Sequence, residues 1–226
     1  MAEKTKTLTL FHGDKGGVGK SFCASVYIDK KLASEAGSVV VEADNRNPDI
    51  ERIFASHLPT ERLDLTDHSG VMDFVDFLAE NTAQEVIVSL PAGVGKTLNL
   101  ESELIKGALD DLGYKLRVFW PINRLPDSIV LLKRFMTETA LAEGAEIIVV
   151  LNGFFGDEDK FSRWNDSKVR KEFLAAGGSE KYLPALHDRV VDKIVGPFSL
   201  ANDDLKYSEK AELQRWLKTA HEVCGD

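Results

Sequence analysis

Cysteine is nearly absent: the 226 residues include only Cys23 and Cys224. Two distant thiols form neither a disulfide framework nor a metal-ligand spacing, so a reducing, cytoplasmic setting is expected. Long apolar runs are missing too. No window of about 18 apolar residues occurs, and the polar stretch Met1 to Thr7 shows no signal-peptide pattern, so neither a membrane span nor secretion is expected. A cationic excess is the third absence, because 28 Lys and Arg stand against 37 Asp and Glu, for a formal charge of −9. The molecule as a whole has no field to draw in DNA or anionic lipid, and any such contact needs a local patch. Repeats and low-complexity tracts are lacking as well; a Gly-, Ser- and Lys-containing stretch around Ala175 to Lys181 reads as a surface connection.

What is present suits one compact domain spanning residues 1–226. At 43% hydrophobic and 29% charged, the chain can bury one core, and a second full domain would be cramped. Short runs rich in β-branched or large apolar residues recur at Thr7 to Phe11, Ser38 to Val41, Glu85 to Leu90, Leu116 to Trp120, Ile147 to Leu151 and Ile194 to Phe198. Most lack alternation, as strands covered on both faces do. Helical spacing fills the intervals Ser21 to Ala36, Val71 to Glu80, Ser102 to Asp111, Asp127 to Glu143 and Ser208 to Val223. The alternation predicts a three-layer α/β/α fold with a mostly parallel central sheet, whose ligand site lies at the carboxyl ends of the strands.

The first such end carries Gly13-Asp14-Lys15-Gly16-Gly17-Val18-Gly19-Lys20-Ser21. The strict G-x-x-x-x-G-K-[ST] pattern requires glycine at position 14, where this chain has Asp14; the match is to the variant Lys-Gly-Gly-Val-Gly-Lys-Ser over residues 15–21. Its glycines let backbone N–H groups wrap an anion, and the following helix adds its positive end. Lys20 is placed to reach β- and γ-phosphates, and the Ser21 hydroxyl to reach Mg²⁺. Gly93-Val94-Gly95-Lys96-Thr97 looks like the tail of a second such loop, but the pattern needs glycine at position 90 and the chain has Leu90. Two nucleotide sites in so small a domain are implausible.

The Lys-Gly-Gly-x-Gly-Lys-[Ser/Thr] loop after the first strand resembles that of the ParA/MinD family of deviant Walker A P-loop ATPases. The resemblance implies ATP and Mg²⁺ as cofactors, with residues Gly16, Gly17, Val18, Gly19, Lys20, Ser21 and Phe22 around the nucleotide. It implies that Lys15 reaches across a nucleotide-sandwich homodimer to the partner's phosphates, as an arginine finger would. Glu42-Ala43-Asp44 is similar to the family's switch I, which makes Asp44 the residue that orients the attacking water and Glu42 a supporting or exposed one. Asn45, Arg46 and Asn47 are placed to sense the γ-phosphate or to lie at a dimer surface. Val86 to Gly93 is similar to switch II, but Ser89 stands where the family usually has the Walker B Asp. The metal site is then Ser21, Asp44 and Ser89, with less negative charge and reduced metal affinity and hydrolysis expected. Asn152 matches the family's adenine-contacting Asn and Pro197 a residue bordering the base. For both, a plain turn role fits equally well.

The function implied is an ATP-dependent dimerising switch that hydrolyses ATP slowly, stimulated by a partner protein, in plasmid partition, positioning or conjugative transfer. The alternatives are a nucleotide-gated binding module with little hydrolysis and a membrane-associated MinD-type ATPase. Arg163, Lys168, Arg170 and Lys171 form the best local basic cluster for non-specific DNA, and a solvated helix face explains them equally well. Leu213, Trp216, Leu217, Ala220 and Val223 form an apolar stripe, but the mixed charges beside it suit packing on the sheet better than lipid.

Overall fold

The computed structural model describes residues 6–32, 37–201 and 204–224. Seven strands make one sheet in the order β3-β2-β4-β1-β5-β6-β7. They are β1 (Lys6–Phe11), β2 (Ser38–Glu42), β3 (Thr60–Arg62), β4 (Glu85–Ser89), β5 (Tyr114–Ile122), β6 (Glu146–Asn152) and β7 (Ser179–Leu183). Every pairing is parallel. The central strands β2 and β4 are buried at every position, which is why their sequences read as unbroken apolar runs.

Helices cover both faces. One layer holds α1 (Lys20–Leu32), α2 (Asp49–Phe54) and α10 (Tyr207–Val223), whose Tyr27, Ile50 and Trp216 meet Phe11, Val40 and Ile87 of the sheet. The other holds α3 (His68–Glu80), α5 (Ser102–Leu112), α6 (Pro126–Glu138) and α8 (Lys168–Ala175), whose Phe74, Ile105, Phe135 and Phe173 pack with Leu8, Val88 and Val149. Short helices α4 (Gly95–Leu100), α7 (Ser162–Asn165) and α9 (Asp188–Val191) complete the chain. Buried side chains of this size are worth about 1.5–3 kcal/mol each, so the two apolar layers, one per face, dominate the stability.

Three expectations are corrected, one being the helix read over Asp127 to Glu143, which ends at Glu138 ahead of a 3₁₀ turn at Ala140–Ala142. Ile194 to Phe198 is not a strand: a short helical turn precedes it and a 3₁₀ turn begins at Phe198. Gly196, at φ 145°, and Pro197 lie inside this segment and suit a turn. The last strand is instead β7, which begins in the stretch Ala175 to Lys181 read as a surface connection and runs past it; it is a half-exposed edge strand, so its sequence carries no apolar run. The three-residue β3 was not anticipated, being polar and too short for any period. The expected helix from Ser21 stops at Leu32 among the described residues; positions 33–36, like the start of the Met1 to Thr7 stretch, lie outside them.

α10 spends its apolar stripe on the fold. Leu213, Trp216, Ala220 and Val223 are buried, and the Trp216 indole donates to Pro184 O at 2.7 Å. Among the described residues, no helix is long and apolar enough to cross a membrane. The basic cluster is partly neutralised as well: Arg170 Nε donates to Glu180 Oε2 at 2.8 Å, and Lys168 pairs with Glu172 at 3.3 Å.

Candidate functional site

The parallel sheet brings the ends of β1, β2, β4, β5 and β6 to one edge, where the predicted residues converge. Residues 13–19 leave β1 and pass into α1 at Lys20. Gly17 and Gly19 adopt φ values of 73° and 97°, which side-chain-bearing residues rarely tolerate. A side chain on Gly19 would also collide with the amide of Asn152. This loop is therefore shaped by its glycines, and it exposes backbone at the helix start where an anion is favoured.

Lys20 is buried, and in this structure its Nζ donates to Lys15 O at 2.8 Å. Burial lowers its pKa, and the carboxylates of Asp14 and Asp44 pull it back up. The ammonium is thus held inside the loop with nearby negative charge, an arrangement that a phosphate oxygen could join. Lys15 points elsewhere: its Nζ lies 2.5 Å from Asp127 Oδ2, at the start of α6.

Switch I is a built turn. Asp44 Oδ1 accepts from Arg46 N and Asn47 N, each at 3.0 Å, leaving Oδ2 outside that turn. Glu42 is buried, so of its two expected roles the structure has the supporting one and not the exposed one. Its Oε1 accepts from Asp44 N and its Oε2 from Ile50 N, both at 2.9 Å. Burial pushes its carboxyl pKa up while these amides oppose the shift. Glu42 therefore holds Asp44 and α2 in place. Ser89, buried at the end of β4, lies in register with both Phe11 and Glu42. This strand end therefore offers a hydroxyl where the resemblance to the ParA/MinD family leads one to expect a carboxylate.

Two cavities flank the loop. One of about 500 Å³ lies between switch I and switch II, lined by Asp44, Asn45, Arg46 and Asn47 with Pro91, Ala92 and Gly93, and by Asp64 and Thr66. Asp64 escaped the sequence reading. Thr66 donates to it through Oγ1 at 2.6 Å and N at 2.9 Å, and these bonds hold its carboxyl below the usual range. Its Asp-x-Thr spacing is the only sequence signal for this turn.

The other cavity, about 280 Å³, is mostly apolar; Gly17, Gly19, Phe22 and Asn152 line it with Phe154, Phe155, Leu186 and Val191. Asn152 is committed within the chain: Nδ2 donates to Val18 O at 3.0 Å and Oδ1 accepts from Phe154 N at 3.1 Å. It fastens the loop to β6 and forms a wall of this cavity. Pro197 is not brought there; it lines a separate cavity with His57 and Lys193.

The residues fit a nucleotide with magnesium in kind: a glycine cradle, a buried lysine, the Ser21 hydroxyl at the first turn of α1 and the Asp44 carboxylate nearby. Among the described residues there is no cluster of three or more His, Cys, Asp or Glu able to hold a metal unaided. A magnesium ion here would take much of its coordination from phosphate and water. Gly93 to Thr97 is no second phosphate loop, because the Gly95 amide is given to Asp14 Oδ1 at 2.8 Å and Thr97 Oγ1 to Thr66 O at 2.9 Å.

No protein-family model matches the chain. It is 32% identical over 221 residues to protein MobD of Acidithiobacillus ferrooxidans, covering 96% of each. The structure superimposes on the MinD cell division protein of Aquifex aeolicus with a TM-score of 0.54 and 16% identity, over 98% of this chain and 97% of that one. A ParA family ATPase from Chlorobium tepidum gives 0.52 and 14%, over 97% and 98%. A nucleotide-binding protein of Archaeoglobus fulgidus in complex with ADP gives 0.52 and 12%, over 97% and 88%. With an all-parallel sheet, a glycine loop opening α1 and a full-length relative above 30% identity, the chain belongs to the MobD family and is built on the ParA/MinD P-loop fold.

Proposed function

We propose that the protein is an ATP-dependent dimerising switch that hydrolyses ATP slowly and acts in positioning or conjugative transfer of DNA. The observation that carries this reading is Lys20, buried at the start of α1 inside a glycine loop and close enough to Asp14 and Asp44 to feel both charges. A loop lysine with that placement suits a phosphate rather than solvent. The apolar cavity beside Gly19 suits a base, and the switch-lined cavity across the loop lies where a γ-phosphate would be sensed. The ADP held by the Archaeoglobus fulgidus neighbour fits a nucleotide ligand here, and membership in the MobD family fits the transfer branch.

The proposed division of labour is consistent with the geometry. Loop amides and Lys20 would bind the phosphates, Ser21 and Asp44 would hold a magnesium ion through its water, and Asp44 would orient the attacking water. A bound magnesium would neutralise charge on the β- and γ-oxygens. Lys15 is the residue left to act across a dimer, once it parts from Asp127. A partner protein accelerates turnover, and Ser89 keeps the basal rate low because it brings no charge to the metal's water shell.

Steady-state ATP hydrolysis with Mg²⁺, followed alongside light scattering, tests this. Wild type should turn over slowly and dimerise with ATP; Lys20→Ala should lose binding, Asp44→Ala hydrolysis, and Lys15→Ala the dimer-linked step alone. ATP binding without hydrolysis, even with cell extract, would make the protein a nucleotide-gated binding module. Absence of binding rejects the reading.

A further inference from the structure

Asp14 stands where the strict phosphate-loop pattern has glycine, and its own backbone is left-handed, with φ at 46°. Aspartate tolerates this region better than most residues. Its carboxylate leaves the loop and accepts the Gly95 N–H at 2.8 Å, joining positions far apart in the chain. Gly95 has no positive φ among the special backbone angles, so its backbone does not require glycine. What requires glycine is Asp14, because a Cβ at position 95 would lie 2.5 Å from Asp14 Oδ2 and 2.8 Å from Oδ1. The aspartate and the missing side chain are complementary halves of one contact.

The contact joins two elements that matter to a switch. Gly95 opens α4 two residues after Gly93, which lines the cavity between the switches. Thr97, on the same helix, donates to Thr66 O at 2.9 Å, and Thr66 lines that cavity too. On the other side, the Asp14 charge acts on Lys20. Lys20 now donates to Lys15 O and must reorient to meet a phosphate. Phosphate charge entering the loop bears directly on the Asp14 carboxylate.

We infer that Asp14 is a positioning residue that ties the phosphate loop to α4 and transmits nucleotide occupancy to switch II and the Thr66 turn. The inference rests on the nucleotide-binding reading above. It assigns position 14 a coupling role in this chain, in place of the glycine's role of permitting a turn.

The test combines nucleotide binding, followed by a fluorescent ATP analogue with Mg²⁺, with hydrogen exchange over residues 94–100 and thermal melting. In wild type, saturating ATP changes exchange over that segment by about fivefold or more, the span of an ordinary coupling free energy. Asp14→Gly still binds nucleotide but loses the exchange response, whereas Asp14→Asn, which keeps an acceptor oxygen for Gly95 N but not the charge, shows a reduced one. Gly95→Ala lowers the melting temperature by about 5 °C through overpacking, and the same change in the Asp14→Gly background lowers it not at all, since alanine is the better helix former. An Asp14→Gly variant that responds to ATP as wild type does, or a Gly95→Ala cost equal in both backgrounds, overturns the inference. Wild type that binds ATP without any exchange response overturns the coupling and leaves the functional reading standing. Wild type that binds no nucleotide overturns the functional reading and the coupling with it, while the melting comparison then shows whether the contact itself was rightly placed.

Discussion

Lys15 and Asp127 of the same chain meet at 2.5 Å between Nζ and Oδ2, with the aspartate two-thirds exposed. The pair holds the Lys15 ammonium on its own chain, where the proposed function would have it reach across a dimer. Exposed pairs of this kind contribute about 0–1 kcal/mol, so the hold is weak and reversible. Asp127→Ala should favour ATP-dependent dimerisation by up to about fivefold, the equivalent of 1 kcal/mol. Sedimentation at several protein concentrations measures this, and unchanged or weaker dimerisation would count against a role for the pair.

Ser89 should respond sharply to restoration of a carboxylate. Ser89→Asp places a charge in a buried position beside Glu42, its register partner, whose carboxyl is already pushed upward by burial. Without a cation the variant should be less stable by about 1–3 kcal/mol. Mg²⁺ with ATP should recover that loss, and hydrolysis should saturate at lower Mg²⁺ than in wild type. Melting curves and Mg²⁺ titrations of the rate decide the matter; an unchanged Mg²⁺ requirement speaks against Ser89 as a metal-site position.

Asn152→Ala removes the bond to Val18 O and the wall against Gly19. Loss of one buried amide contact is worth about 1–2 kcal/mol, so nucleotide affinity should fall roughly tenfold. Titration of a fluorescent nucleotide reads this directly. An affinity within twofold of wild type would mean that the loop holds its shape without the amide.

His12 sets a pH dependence. It is enclosed by Trp120 and Phe135, at ring-centroid distances of 4.7 and 5.4 Å, and its Nδ1 is buried without a hydrogen-bond partner. Burial, then the charge of Lys20, lowers its pKa to about 3. The unfolded chain takes up the proton below about 6.5, while the folded chain refuses it until about 3. The His12 contribution to stability is therefore complete above pH 6.5 and drains away as the pH falls toward 3. Between pH 7 and pH 5 the expected loss is about 2 kcal/mol. Denaturant unfolding of His12→Leu should show a flatter acid limb than wild type; parallel limbs would locate the acid sensitivity elsewhere.

The covered strands β1, β2, β4, β5 and β6 were legible because burial on both faces demands continuous apolar residues, as in Val39 to Val41 and Ile147 to Leu151. The polar edge strands β3 and β7 obey no such demand, and the apolar Ile194 to Phe198 misled because Val195 is almost fully exposed. The phosphate loop was readable since its chemistry is local in sequence. Contacts such as Asp14 with Gly95, Glu42 with Ile50 and Lys15 with Asp127 depend on which distant segments the sheet brings together. No spacing rule encodes them. For the same reason Asn152 could be placed near the loop, while its attachment to Val18 emerged only from the fold.

The position of β1 also bears on how the chain is made. β1 lies between β4 and β5, and Thr7 pairs with Glu85 on one side and Lys115 on the other. At about 5–20 residues per second, the ribosome releases this strand several seconds before either neighbour exists. The phosphate loop that follows it, and the apolar residues Leu8, Leu10 and Phe11 within it, must wait unshielded through that interval. The sheet can therefore close on both sides of β1 only after the ribosome has passed the middle of the message.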